Sequence, residues 1–282
     1  MSNIAEELVR RIAEMERAVD RLKTLDGGPE NDPQFALARY RDMVLTLPGL
    51  RGFWPMSPVN ANGDAFDQSG LGFTLTYNGN PTYNIDGVVP YINLDGTGDY
   101  LSRANQAALG ISGTETYIAS AIRGLTMGGW VRFNDAVGGT SNGIATKDSA
   151  GAGGRSYSLF RLATNGFLRF GVSGDGTAFT SVTDGIAMGS NQWHYVVGRY
   201  NPATELAAWT YNPTTRELSK ATNTTSIPSS IFNSSTAFSI GAFTTGNLLA
   251  NARFFGMWLC VAHLSDTQID NLFQVSRVAL GV

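Results

Sequence analysis

The chain has 282 residues, 43% of them hydrophobic and only 15% charged, with 33 glycines. That apolar share sustains a real core and excludes global disorder, while the many Gly, Asn, Ser and Thr suit short strands joined by tight turns. A formal net charge of −3 leaves no electrostatic footprint for a nucleic-acid backbone, and no apolar run approaches the ~20 residues that cross a bilayer as a helix.

Residues 1–26 are charged and periodic, without the apolar stretch of a secretory signal peptide. Synthesis for the cytoplasm, or for export by another route, follows as an expectation. Ala5, Ile12 and Val19 fall at the a positions of a heptad and Leu8, Met15 and Leu22 at d, the seam of a coiled coil. Ile4, Ala18 and Leu25 at g, with Val9 at e, widen the stripe and favour a trimer over a dimer. Arg11 and Glu16 have the spacing of a short Arg-x-x-x-x-Glu trimerisation signature. The oligomerising set is therefore Leu8, Arg11, Ile12, Met15, Glu16, Val19 and Leu22. Three heptads are marginal alone, so the other reading is a helix folded back on its own domain. Gly27-Gly28-Pro29 ends the segment sharply. Residues 27–49 read as a linker, with a second short helix predicted over 32–45.

From about residue 52 the period shortens. Alternating runs at 72–77, 88–94, 156–162, 167–172, 193–200 and 206–211 are separated by Gly, Asn, Asp and Ser, which predicts strands of a sandwich or barrel. Asn165-Gly166 carries a type I′ hairpin signal, and Gly174-Asp175-Gly176 makes the next turn. Ser265 with Gln268 forms a capping box for a last helix, and Leu264 with Ile269 its hydrophobic staple. The expectation is all-β over 50–282, two antiparallel sheets in a jelly-roll sandwich, preceded by an α-helical segment.

Several motifs in order resemble the laminin-G-like and concanavalin-A-like jelly-roll family, pentraxins included. They are Leu50-Arg51-Gly52-Phe53-Trp54-Pro55-Met56, Leu94-Asp95-Gly96-Thr97-Gly98-Asp99-Tyr100-Leu101 and Leu125-Thr126-Met127-Gly128-Gly129-Trp130-Val131. Asp67-Gln68-Ser69-Gly70, Phe167-Leu168-Arg169-Phe170-Gly171-Val172-Ser173 and Gln192-Trp193-His194-Tyr195-Val196-Val197 continue the series. The resemblance covers about residues 50–275 and implies a lectin-like sandwich. Relatives carry a pair of acidic residues in the last long strand, where this chain has Phe255-Gly256, which argues against their structural calcium. Asp67, Asp95, Asp99 and Asp175 remain as oxygen donors for a calcium ion, against the plainer role of turn-forming aspartates that bond their own backbone.

Catalytic chemistry finds few residues. Glycoside hydrolases flank the scissile bond with two carboxylates, yet after residue 52 the glutamates are Glu115, Glu205 and Glu217, in separate segments, and Asp135 lies in a loop. His194 and His263 read as structural histidines, and Cys260, inside the apolar stretch 254–261, as a buried inert thiol. Binding is better served. Trp209 and Tyr211 are two apart and share a strand face, forming either a sugar platform or a packing surface for the N-terminal segment or a neighbouring subunit. Asn142, Asp148, Arg155 and Tyr157 offer polar partners on an adjoining loop and strand.

The combined expectation is a non-enzymatic, virion-associated adhesion protein, a phage tail appendage or capsid decoration. Residues 1–50 would contact other virion proteins, and the outer domain a cell-surface glycan. The alternative is an extracellular bacterial carbohydrate-binding module or adhesin, with a glycoside hydrolase last.

Overall fold

The computed structural model describes residues 31–56, 64–106, 109–243 and 247–282. The heptad residues Leu8, Arg11, Ile12, Met15, Glu16, Val19 and Leu22 lie outside them. In chain order the elements begin with helix α1 (Pro33–Leu45), β1 (Leu50–Trp54), β2 (Thr76–Asn78), β3 (Thr82–Asp86), β4 (Val89–Asp95), β5 (Tyr100–Arg103) and β6 (Leu125–Phe133). Then come β7 (Asn142–Lys147), β8 (Tyr157–Arg161), β9 (Phe167–Val172), β10 (Thr180–Ala187), β11 (Trp193–Asn201) and β12 (Glu205–Asn212). β13 (Glu217–Asn223), β14 (Phe238–Ile240), β15 (Asn251–Cys260) and helix α2 (Asp266–Leu280) complete the chain.

The strands form two antiparallel sheets. The first runs β13-β12-β11-β6-β15-β4-β3, with β1 paired to the second half of β15; the second runs β10-β9-β8-β7-β14-β5-β2. Between them lie Trp54, Leu94, Val131, Phe133, Leu159, Phe170, Tyr200 and Phe254, all fully buried. The predicted sandwich is therefore present.

The helices add a third layer. Strands expose alternate side chains to opposite faces, so β6 sends Val131 and Phe133 inward and Trp130 outward. Trp130, Tyr195, Tyr211, Phe255 and Trp258 form a second core with Ala36, Tyr40 and Val44 of α1 and Ile269, Leu272 and Phe273 of α2. Covered on both faces, β6, β11 and β15 read as nearly continuous apolar runs. α1 stands at the predicted place, with the Asp32 carboxylate accepting from Gln34 N at 2.9 Å and Pro33 opening the helix. It is seated on the first sheet and is not a free linker. For α2 the predicted capping box forms: Ser265 Oγ accepts from Gln268 N and Gln268 Oε1 from Ser265 N. Leu264 and Ile269 are both buried, and Gly281 at φ 67° closes the helix.

One turn differs from expectation. A type I′ turn needs positive φ at both central residues, but Gly166 alone is left-handed, at φ 73°. The β8–β9 connection closes as a longer loop, with Leu162 N bonded to Phe167 O and Gly166 N to Leu162 O, each at 2.9 Å.

Candidate functional site

Most residues singled out from the sequence turn out to hold the domain together. Trp209 is 4% exposed and Tyr211 1%, within the layer beneath the helices. Tyr211 packs on Phe273 of α2 with ring centroids 5.1 Å apart. Trp209 lies between the Arg199 guanidinium at 4.7 Å and Lys220 Nζ at 5.1 Å. Neither ring offers an open face for a sugar, because the strand face they share is the one the C-terminal helix covers. Their cover is α2, which is neither the N-terminal segment nor a neighbouring subunit.

Tyr157 points into the core between the sheets, its hydroxyl donating to Leu109 O at 3.1 Å. Asn142 braces Arg161, whose Nε and Nη2 donate to Asn142 Oδ1 at 3.0 and 2.7 Å. Arg161 also pairs with Asp135 at 2.7 Å and stacks on Phe133 at 3.8 Å. Arg155 lies 5.2 Å over the Phe179 ring. Asp148 is fully buried and neither of its carboxylate oxygens has a partner; burial pushes its pKa up to about 7, against the opposing charge of Arg155. Next to it, buried Lys147 donates from Nζ to the Ser234 carbonyl, and burial lowers its pKa to about 8. Asn142 opens β7 and Asp148 follows its last residue, so the four polar candidates do not converge on one ligand.

The four proposed calcium donors bind backbone. Asp67, 2% exposed, accepts from Phe53 N at 3.0 Å, Ser69 N at 2.8 Å and Phe73 N at 2.8 Å. Asp99 accepts from Asn80 N at 2.7 Å and Asp95 N at 3.3 Å, and Asp95 from Thr97 N at 2.6 Å. Their oxygens are occupied as loop clamps, the plainer of the two roles. Asp175 bonds Thr177 N and Ala178 N in the same way. Among the described residues no group of three His, Cys, Asp or Glu side chains is arranged to hold a metal, and no helix is long and apolar enough to cross a membrane. His194 and His263 bond backbone carbonyls through Nδ1, those of Tyr211 at 3.0 Å and Arg123 at 3.1 Å. Cys260 is buried, which raises its thiol pKa.

The surface best built to hold a ligand lies elsewhere, on the strip of the first sheet that the helices leave open. A row of side chains crosses it at one register: Asn93 opposite Arg253, Arg253 opposite Arg132, and Arg132 opposite Trp193. Arg253 stacks on Tyr91 at 5.0 Å. Asn134 joins Asn93 and Asn251 through its amide at 3.1 and 2.9 Å, closing one end of the row. At the other end, Arg132 and Trp193 line a cleft of 520 Å³, walled by Asp86, Asn191, Gln192 and Val282. Asn191 holds φ 59°, with its N–H bonded to Phe133 O at 2.6 Å, and this fixes the turn that carries Gln192. A second cleft, 540 Å³, runs between α1 and the β3–β4 hairpin and is mainly apolar, with Leu37, Phe53, Ile85 and Pro90 in its walls. The sequence offered one signal for this row: Arg132 and Arg253 are lone charges inside apolar strands.

No family model matches the sequence, and no curated protein matches it either. Solved structures do. The binding domain of Paraclostridial Mosquitocidal Protein 1 superposes with a TM-score of 0.60 at 12% identity, over 80% of this chain and 52% of that one. The fold is shared with toxin binding domains. That of botulinum neurotoxin DC, determined in complex with SialylT, gives 0.57 at 12% identity over 82% and 52% of the two chains. The serotype G binding domain gives 0.59 at 10% identity over 79% and 50%. The chain spans about half the length of these domains, and at such identities the likeness is one of fold.

Proposed function

We propose that this sandwich is a non-enzymatic, lectin-like domain of the concanavalin-A-like type, which attaches its bearer to a cell-surface glycan. The observation that carries this reading is the half-open pair Arg253 and Arg132, beside a cleft walled by side-chain amides and floored by the largely buried Trp193. Sugars are held by an apolar wall and a few fixed polar groups, and this strip offers both on rigid strands. The likeness to toxin binding domains agrees in kind, as fold-level analogy. The test is a glycan array followed by titration of any hit with the purified chain. Hydrolysis of a bound glycan, lost on changing one carboxylate, would instead make the domain an enzyme.

The bearer we propose is a virion, with the domain as a trimeric tail appendage or capsid decoration anchored through its N-terminal residues. Mass spectrometry of purified particles tests that. A bacterial adhesion module is the second reading, favoured by the likeness to clostridial toxins, and it predicts the chain in culture supernatant instead.

A further inference from the structure

Arginines elsewhere in this domain are neutralised where they are buried. Arg199 meets Glu205 at 2.5 Å and Asp266 at 2.7 Å, and Arg161 meets Asp135 at 2.7 Å. Arg132 and Arg253 break that pattern. They are direct partners on the neighbouring antiparallel strands β6 and β15, where like charges repel and destabilise the sheet. Each keeps a buried Nε with no hydrogen-bond partner, as Arg51, Arg155 and Arg199 also do, so what sets the pair apart is the shortage of carboxylates. Among the described residues Asp86 is the one carboxylate within ion-pairing reach of either, at 3.8 Å from Arg132 and with its own side chain 55% exposed. The pair thus carries a net positive charge on a half-open floor, held rigidly by two central strands.

Planar guanidinium forks match the two or three oxygens of a carboxylate or sulfate. A bound oxyanion would also remove the repulsion between the strands. Trp193 stands next in the row, 6% exposed, and gives the cleft a small apolar patch, and the Asn191 and Gln192 amides border the same cleft. We infer that Arg132 and Arg253 form an oxyanion subsite for an acidic sugar, with the charged group on the two guanidiniums and the ring toward Trp193. The inference rests on the glycan-binding reading above and names the class of glycan.

The experiment titrates the full chain and the variants R132Q, R253Q and R169Q with one oligosaccharide in three forms. The forms are neutral, capped by a carboxylate-bearing sugar, and sulfated. Inorganic sulfate is the fourth probe. Arg169, bonded to Ser181 on the other sheet, serves as the charge control. The acidic forms should bind the wild type at least about tenfold more tightly than the neutral one, as charge-assisted hydrogen bonds allow. R132Q and R253Q should abolish that margin, and R169Q should keep it. Added salt should weaken the acidic forms selectively, and inorganic sulfate should compete with them. Melting temperatures should hold or rise in R253Q, because the repulsion is relieved; a purely structural arginine would lower them. Acidic glycans binding R132Q and R253Q as tightly as wild type would overturn the subsite and leave the glycan-binding domain standing. Neutral and acidic forms binding equally would have the same meaning. Binding to none of the glycans would overturn both readings.

Discussion

The hydroxyl of Tyr40 donates to the carbonyl of Gly256 at 2.8 Å, joining α1 to the irregular middle of β15. The register of β15 against β6 shifts between Phe255 and Trp258, and Gly256 sits in that bulge at φ 57°. A Cβ there would stand 2.7 Å from Tyr40 Cε1. Helix α1 occupies the space beside it. G256A should cost about 2 kcal/mol or more, from left-handed strain and the contact with Tyr40 together. Y40F removes this buried hydrogen bond and should cost about 1 kcal/mol. Urea unfolding measures both, and a neutral G256A would mean that α1 is not held against the bulge.

Trp209 and Tyr211 should behave as core. W209A removes a ring packed between Arg199 and Lys220 and should destabilise by about 3 kcal/mol. Glycan affinity, measured well below the melting transition, should stay unchanged. The opposite pattern, an unaltered melting temperature with lost affinity, would restore these rings as a sugar platform.

Stability should pass through a shallow minimum near pH 7–8, because of two adjacent buried groups. Asp148, raised to about 7, holds in the folded chain a proton that the unfolded chain has released from its ordinary carboxylate range upward. Its contribution to stability therefore falls as pH climbs through that window to about 7. Lys147, lowered to about 8, gives up its proton in the folded chain while the unfolded ammonium keeps its own. Its contribution is least below about 8 and recovers as pH rises toward the ordinary lysine range. D148N should flatten the acid limb and K147M the alkaline one, in melts run from pH 4 to 10. A wild-type maximum at pH 7–8, unchanged in both variants, would contradict this.

Light scattering of the full chain should give a trimer, and of a chain starting at residue 31 a monomer. The shorter chain keeps α1, whose Tyr40 and Val44 are fully buried against the sheet. A start at residue 50 would strip that cover and confuse misfolding with lost assembly. A monomeric full chain would sink the heptad argument and favour a helix folded on its own domain.

What the sequence alone determined is local. Strand runs, the capping box of Ser265 and Gln268 and the helix opened by Pro33 depend on residues a few positions apart, where backbone preference and periodicity act directly. The two-layer sandwich was legible for the same reason, because alternation writes each strand's buried face into the chain. Only the tertiary structure decided which faces stay open. Trp209 and Tyr211 have the composition of a sugar platform, but α2, more than fifty residues later, packs its Phe273 on Tyr211. Asp67, Asp95 and Asp99 read from sequence as turn-formers first and metal ligands second, and the folded loops bring backbone N–H groups to their oxygens. Arg132 and Arg253 are separated by 120 intervening residues, and their juxtaposition exists only in the pairing of β6 with β15. A binding surface is a relation between strands, and cross-strand register is set by the packing of the whole sheet.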